Sequence, residues 1–198
     1  MRLVLASGSA ARAAMLRAAG VAFEQLALPV DEAGVREALK AERVTAEDAA
    51  MLLAELKGQR VAAGIAGEAI VLGADQLLEL EGEWLEKPAD RAVAKAQLLR
   101  LSGRRHRLVS AAVGLRNGAR VWHHVGVASL WVRPLSEGFV EEYLDAVGEA
   151  VLQSVGSYQL EGPGAQLMAR VEGDFFTVLG LPLLPVLQFL RDQGVLRA

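Results

Sequence analysis

The first twenty residues restrict the fold more than any other segment, because an apolar strand pattern changes there into a helical one. Residues 3–5 read LVL, which is typical of a buried strand. Ser9 is a good N-cap for a helix that Gly20 would end. Such a helix start points backbone N–H groups outward and attracts phosphate, and Arg12 in its first turn would add a guanidinium. An ordinary strand–helix unit without a ligand is the alternative, because the loop lacks P-loop spacing.

Composition and charge exclude several classes of function. A net charge of −3 gives no electrostatic reason to expect nucleic acid as a partner. The absence of cysteine excludes disulfides and thiolate chemistry. No cationic, apolar signal segment precedes Arg2, and the most apolar stretch, residues 175–190, is short and contains two prolines. We therefore expect a cytoplasmic protein with no membrane partner, folded as a single domain over residues 1–198.

The rest of the chain alternates between helical and strand-like patterns. The run AIVLGAD predicts a buried strand that ends at Asp75, and LLELEGEWLEK predicts a hairpin that turns at Glu81-Gly82. Residues 106–132 are strand-like, with Asn117-Gly118 as a hairpin signal. Residues 150–180 predict short strands between glycine-rich turns, and Pro182 suits the first turn of a final helix. Together these patterns predict an α/β sheet with antiparallel portions.

Asp75 is the most conspicuous carboxylate, because the apolar run before it carries no other charge. Ligands of open α/β sheets bind beyond the carboxyl ends of the strands. There, Asp75 would hold a metal ion or accept a proton from an attacking water, and a turn cap is the alternative. Lys57 and Lys87 are able to reach a phosphate, and Glu32 and Glu161 lie in loop-like sequence. For each of these four, a side chain that faces water is the alternative.

These segments resemble the Maf family of nucleoside triphosphate pyrophosphatases, in order and spacing, over nearly the whole chain. The matching strings are LASGSAARAAML, DE, LAELKG, GADQ, EKPAD, AQLLRLSGRRH, GSYQLEGPGA and EGDFFTVLGLPLLPVLQFLRDQG. The resemblance implies an α/β fold in which an elongated mixed sheet, flanked by helices, has two lobes around a central cleft. It also implies a house-cleaning hydrolase that converts nucleoside triphosphates, including modified ones, to nucleoside monophosphate and pyrophosphate.

The resemblance also implies the residues of the site. Asp75 takes the place of the family's catalytic acidic residue. A divalent cation (Mg²⁺, Mn²⁺ or Co²⁺) would be held by Glu32, Asp75 and Glu161. The substrate-binding residues would be Ser7, Ser9, Arg12, Lys57 and Lys87.

Two features of the sequence bear on how it compares with the common pattern of the family. Many relatives have a proline and a pair of arginines after the second serine, whereas this chain reads Ala-Ala-Arg-Ala at residues 10–13, so that one guanidinium is missing. Gln76 and Glu161 resemble the branch associated with 7-methyl-GTP rather than the one associated with thymidine and uridine triphosphates.

Two further expectations follow from the resemblance. The family often forms homodimers, and Trp122 or Trp131 would suit an interface, with half-buried sheet residues as the alternative. The alternative function is a nucleotide-binding regulator of cell division and septum formation without significant turnover. The missing arginine is the reason to consider it.

Overall fold

The computed structural model describes residues 1–197. Its strands are β1 (Arg2–Ala6), β2 (Glu24–Gln25), β3 (Ala69–Leu80), β4 (Glu83–Leu85), β5 (Arg105–Arg116), β6 (Ala119–Val132) and β7 (Met168–Glu172). Its α-helices are α1 (Ala10–Ala18), α2 (Glu32–Ala41), α3 (Ala46–Ala62), α4 (Arg91–Leu101), α5 (Glu137–Val147), α6 (Phe175–Val178) and α7 (Leu183–Asp192). Short 3₁₀ helices occupy Gly148–Gln153, Val155–Ser157 and Pro163–Leu167. No helix within residues 1–197 has the length and apolar character needed to cross a membrane.

The strands of residues 1–197 form one mixed sheet in the order β2-β1-β3-β5-β6-β7, with β4 paired to β3. Strand β1 runs parallel to both β2 and β3, and its last residue, Ala6, lies opposite Gly73. The β3–β4 and β6–β7 pairs are antiparallel. The predicted α/β class with a mixed sheet is therefore confirmed.

The described chain divides into two compact units. The first unit contains Met1–Gln76, Val109–Gly126 and the chain from Gly180 onward. The second unit contains Leu77–Leu108 and Val127–Leu179. The predicted cleft between two lobes and the single domain over residues 1–198 stay predictions.

Each unit has its own core, built mainly from leucine. In the first unit the largest fully buried side chains are Leu5, Leu16, Leu53, Ile70, Leu72 and Leu115. In the second unit they are Leu77, Leu78, Leu80, Leu98, Leu101 and Leu108. Helix α3 packs on β1 and α2 in the first unit, and α4 packs on α5 in the second. The first unit thus places α2 and α3 beside the parallel strands from which the site is built.

Local signals in the sequence set several of these boundaries. The side chain of Ser9 accepts a hydrogen bond from the backbone N–H of Arg12 and begins α1, and Gly20 follows its end with a φ of 72°. Asn117 and Gly118, with φ of 52° and 76°, form the predicted turn between β5 and β6.

Two predictions about strands are wrong. Strand β3 does not end at Asp75 but continues to Leu80, so the predicted strand and the first strand of the predicted hairpin are one element; the hairpin itself, with β4 after Glu81-Gly82, is confirmed. Residues 150–180 contain 3₁₀ helices, helix α6 and a single strand, β7, where short strands were predicted. The reason is local: the backbone of Gly156 has a φ of 77° inside the 3₁₀ region, and the side chain of Asp174 caps α6.

Candidate active site

Asp75 is a buried carboxylate just past the point where β1 leaves the sheet. Asp75 is 3% exposed, and its neighbours Ala74 and Leu77 on β3 are fully buried. The pairing of β1 with β3 ends at Ala6 and Gly73, so that Ser7 and Asp75 both follow the last paired positions. The carboxyl end of a parallel strand is where α/β sheets bind ligands. Asp75 therefore lies just beyond the parallel pairing of β1 and β3, although β3 itself is longer than predicted, and its role at a ligand site stays a prediction.

A close contact between two glycines brings α3 onto β3 beside this carboxylate. A Cβ atom added to Gly73 would lie 2.1 Å from the carbonyl oxygen of Ala54 and 3.1 Å from the backbone nitrogen of Gly58. A side chain at position 73 would push the helix away from the strand, and a Cβ atom at Gly58 would lie 2.2 Å from Cδ1 of Leu115. Lys57 precedes Gly58 in α3, so this contact carries its ammonium group to Asp75.

Asp75 and three charged side chains around it form a cluster, and we call Glu32, Arg36, Lys57 and Asp75 the charged cluster. The Nζ atom of Lys57 lies 2.6 Å from Oδ1 of Asp75 and 2.9 Å from Oε2 of Glu32. The Nη2 atom of Arg36 lies 3.3 Å from the same Glu32 oxygen and 3.6 Å from Oδ2 of Asp75. Two cations therefore face two carboxylates, and each cation contacts both.

Helix α2 supplies two members of the charged cluster. Asp31 caps this helix by accepting a hydrogen bond from the backbone N–H of Gly34 at 3.0 Å. Glu32 is the first residue of α2, and Arg36 follows one turn later, so that the two side chains share a face. Arg36 was not predicted as a site residue from the sequence. The signal available for it was its spacing of four residues from Glu32.

Two buried atoms of the charged cluster have no hydrogen-bond partner within the described residues. They are Oδ2 of Asp75 and Nε of Arg36. Burying such groups without a partner is costly, and nearly all buried polar atoms in proteins are hydrogen-bonded. An unpartnered acceptor, Oδ2 of Asp75, close to an unpartnered donor, Nε of Arg36, is typical of a site where a ligand supplies the missing hydrogen bonds.

Arg12 lies beside the charged cluster and binds the surrounding chain. Its Nε donates to the carbonyl oxygen of Gly180 at 2.7 Å, and its Nη1 donates to the carbonyl of Ala74 and to Oγ of Ser7, both at 3.1 Å. Burial lowers the pKa of the Arg12 guanidinium, and the charges of Asp75 and Glu32 oppose that shift. Arg12 therefore fixes the loop at Ser7 and the backbone next to Asp75.

The serines of the first loop are hydrogen-bonded to each other and to α1. Oγ of Ser7 accepts from the backbone N–H of Ser9 at 3.3 Å, and Oγ of Ser9 accepts from the backbone N–H of Arg12 at 3.4 Å. The first unit thus brings together Asp75, Glu32 and Lys57 and, at the adjoining helix start, Ser7, Ser9 and Arg12. Their proposed contacts with phosphate stay predictions.

Lys87 and Glu161, the remaining predicted site residues, belong to the second unit. Lys87 lies between β4 and α4, and Glu161 lies in a turn before the 3₁₀ helix Pro163–Leu167. Within residues 1–197, no three His, Asp or Glu side chains are grouped so that they could hold a metal ion. The metal-binding role of Glu161 and the phosphate-binding role of Lys87 stay predictions.

The second unit also buries a histidine in its core. Nε2 of His106 lies 2.6 Å from the hydroxyl of Tyr158, and Nδ1 is buried with no hydrogen-bond partner in the described residues. Burial lowers the pKa of His106 to about 4, and it raises the pKa of Tyr158. The histidine is therefore neutral in the folded protein at neutral pH.

The two tryptophans predicted for an interface are both partly buried. Trp122 stacks on Phe189 with ring centroids 4.7 Å apart. The guanidinium groups of Arg105 and Arg170 lie 5.4 and 4.9 Å from the ring of Trp131. These contacts agree with half-buried sheet residues, and the interface stays a prediction.

The chain is similar to known proteins along nearly its whole length. The family model described as Maf-like protein matches residues 2–193. A nucleoside triphosphate pyrophosphatase of Paramagnetospirillum magneticum is 54% identical over 193 residues, which cover 98% of this chain and 99% of the relative. A nucleoside triphosphate pyrophosphatase of Granulibacter bethesdensis is 46% identical, over 99% of each chain. A 7-methyl-GTP pyrophosphatase of Rhizobium meliloti is 47% identical, over 99% of this chain and 98% of the relative.

Proposed function

This chain belongs to the Maf family, and we propose that it is a nucleoside triphosphate pyrophosphatase, which hydrolyses a nucleoside triphosphate to the monophosphate and pyrophosphate. The observation that carries the proposal is the buried carboxylate of Asp75. One of its oxygens is fixed by Lys57, and the other has no hydrogen-bond partner in the described chain. The relatives named for this reaction are similar to the chain over nearly its whole length.

Asp75 is the residue we assign to the reacting water. Lys57 binds Oδ1, so the carboxylate is held in one orientation, with Oδ2 free of hydrogen bonds to the described chain. In that orientation Oδ2 either accepts the proton of the water that attacks the α-phosphorus or contributes to a metal site. Both roles need a fixed carboxylate, because a base or ligand that rotates away loses its geometry. Lys57 and Arg36 are positive charges beside the place where negative charge develops.

A divalent cation is the cofactor we propose, and the carboxylates of the charged cluster fit one. Mg²⁺ usually binds proteins through one or two carboxylates together with phosphate oxygens of the substrate. The unpartnered Oδ2 of Asp75 and the carboxylate of Glu32 are oxygens of this kind. When bound, the ion would neutralise charge on the phosphates. Glu161 is the third ligand that the resemblance implies.

The start of α1 is the place we propose for the triphosphate. Its first-turn N–H groups and the hydroxyls of Ser7 and Ser9 lie next to the strand that carries Asp75. Lys57 and Lys87 are the lysines proposed for the phosphates. Because several similar relatives are named for 7-methyl-GTP, and Gln76 and Glu161 resemble that branch, this nucleotide is the first to test. We also propose a homodimer in the cytoplasm with a house-cleaning role.

Pyrophosphate release by the purified protein tests the proposal. The panel contains the standard nucleoside triphosphates, 5-methyl-UTP, pseudo-UTP and 7-methyl-GTP, each with Mg²⁺, Mn²⁺ or Co²⁺. Asp75→Asn is expected to lower turnover by a factor of at least about a hundred. The control is Asp192→Asn, at the end of α7, where the carboxylate is exposed and hydrogen-bonded to Gln188.

Three results would contradict the proposal. Release of orthophosphate would mean that a different bond is cleaved. Near-normal turnover of Asp75→Asn would remove Asp75 from the mechanism. Nucleotide binding without turnover across the panel would favour the regulator of cell division.

A further inference from the structure

The guanidinium of Arg36 has hydrogen-bonding capacity that the protein does not use. Its side chain is only 12% exposed. Among residues 1–197 its hydrogen bond is the one from Nη2 to Glu32 at 3.3 Å, and its contact with Asp75 at 3.6 Å is longer than a hydrogen bond. Its Nε is buried without a partner. An arginine has five N–H donors, so most of those of Arg36 remain for a ligand.

Arg12, the arginine predicted from the sequence to bind phosphate, differs from Arg36 because most of its donors are already hydrogen-bonded within the protein. Its Nε and Nη1 are bound to the carbonyl oxygens of Gly180 and Ala74 and to Ser7. Releasing them to a ligand would leave buried carbonyl groups without donors, which is costly. Arg36 has no such commitment, because it makes no hydrogen bond to the backbone within the described chain.

Distances within the charged cluster show that Arg36 is its more loosely held cation. Lys57 contacts both carboxylates at 2.6 and 2.9 Å, whereas Arg36 contacts the same two groups at 3.3 and 3.6 Å. Lys57 alone can therefore hold Asp75 and Glu32 in place when Arg36 turns to another anion. The planar guanidinium also fits two phosphate oxygens at once, which an ammonium group does not.

We propose that Arg36 is a substrate-binding residue that donates hydrogen bonds to the triphosphate. It supplies from α2 the one guanidinium that is missing at residue 11, where Ala11 stands beside Arg12. When substrate binds, a phosphate oxygen accepts a hydrogen bond from the buried Nε, which has no partner in the described chain. This inference rests on the proposed function, because it assigns a residue to the triphosphate of that same site.

Binding of inorganic tripolyphosphate tests the role of Arg36 without turnover. Titration calorimetry in Mg²⁺ compares the wild type with Arg36→Gln, Arg36→Lys and Arg60→Gln, the last removing an exposed charge from α3. Arg36→Gln is expected to weaken binding about tenfold or more, since a charge-assisted hydrogen bond is lost. Arg36→Lys keeps the charge without the fork and is expected to bind a few-fold more weakly than the wild type. Arg60→Gln is expected to bind like the wild type.

Kinetics with a nucleotide provide the second readout. If Arg36 binds substrate, Arg36→Gln raises KM as it weakens tripolyphosphate binding. An unchanged tripolyphosphate affinity with a lower kcat would overturn the inference, because Arg36 would then act only by positioning Asp75. Absence of tripolyphosphate binding to the wild type would overturn it as well. If Arg36→Gln does not fold, Arg36→Lys decides, and wild-type affinity in that variant overturns the inference.

Failure of this inference is distinguishable from failure of the proposed function. A wild type that releases no pyrophosphate from any nucleotide contradicts the function, whatever the tripolyphosphate titration gives. A wild type that turns over nucleotides, with equal tripolyphosphate affinity in Arg36→Gln, contradicts only the role of Arg36.

Discussion

The Nζ atom of Lys57 lies 2.6 Å from Oδ1 of Asp75, and this contact leaves Oδ2 of the same carboxylate without a hydrogen bond in the described chain. One oxygen is therefore anchored by Lys57, whereas the other has only the longer ion-pair contact with Arg36. The anchor depends on packing, because Lys57 comes from α3 and Asp75 from β3, and two glycines allow that helix and strand to touch. The asymmetry of Asp75 is the main structural reason to expect chemistry at this position.

Lys57→Met is expected to reduce both stability and turnover. The substitution keeps most of the side-chain volume but removes the charge next to a buried carboxylate. Removing one partner of a buried ion pair costs about 3 kcal/mol at the lower end of the usual range. We expect the lower end here, because Arg36 still lies close to Asp75 in the variant. Turnover is expected to fall about a hundredfold, because Asp75 loses its anchor. Urea unfolding and pyrophosphate release measure the two effects, with Arg60→Met as the surface control. Wild-type values for both would contradict the anchoring role.

Gly73→Ala is expected to destabilise the first unit and to impair the site. The added methyl group would lie 2.1 Å from the carbonyl oxygen of Ala54, which belongs to the backbone and cannot rotate away. Overpacking of this kind costs about 3 kcal/mol, and it moves Lys57 away from Asp75. The control is Gly64→Ala, whose methyl group would lie 3.7 Å from its nearest neighbour, the carbonyl oxygen of Val61. Its expected effect on the free energy of unfolding is within about 0.5 kcal/mol. Equal stability of the two variants would show that the glycine contact is unimportant.

Arg12→Met is expected to lower the free energy of unfolding by about 2–4 kcal/mol. It leaves the carbonyl oxygens of Gly180 and Ala74 without their donor, and each loss of this kind costs about 1–3 kcal/mol. The thermal midpoint should fall by roughly 5–15 °C for a chain of this size. Arg17→Met, at an exposed position of the same helix, is expected to change stability by less than about 1 kcal/mol. A thermal midpoint for Arg12→Met equal to that of Arg17→Met would contradict the bracing role.

Stability is expected to fall as the pH is lowered from about 6.5 to about 4, because of His106. Its pKa is about 4 in the folded protein and about 6.5 in the unfolded chain, so the unfolded state binds the proton first. The stability that depends on neutral His106 is fully present above pH 6.5, the pKa of the unfolded chain. It amounts to roughly 3 kcal/mol and is lost as the pH falls towards 4. Urea unfolding at pH 7, 5.5 and 4.5 measures this dependence. His106→Gln should flatten it, and His123→Gln, at an exposed position, should not. The same pH profile for wild type and His106→Gln would refute the assignment.

The sequence by itself determined the family, the mixed α/β sheet and the elements whose signals are local. The cap at Ser9 and the turn at Asn117-Gly118 involve hydrogen bonds or backbone angles within a few residues, so they are readable from the order of residues alone. Asp75 was identified because a lone charge ends an apolar run. The site residues as a group stay predictions until they are tested by substitution.

Only the tertiary structure decided which charges meet. Arg36 contacts Asp75, which is thirty-nine residues later in the sequence, and Arg12 binds the carbonyl of Gly180 near the other end of the chain. No local pattern specifies such pairs, because they depend on how α2, α3 and β3 pack against one another. The continuity of β3 through Asp75, which joins the predicted strand to the predicted hairpin, was likewise decided by the sheet. Long-range packing therefore determined the chemistry of the charged cluster, whereas short-range hydrogen bonding and hydrophobic periodicity determined the elements that carry it.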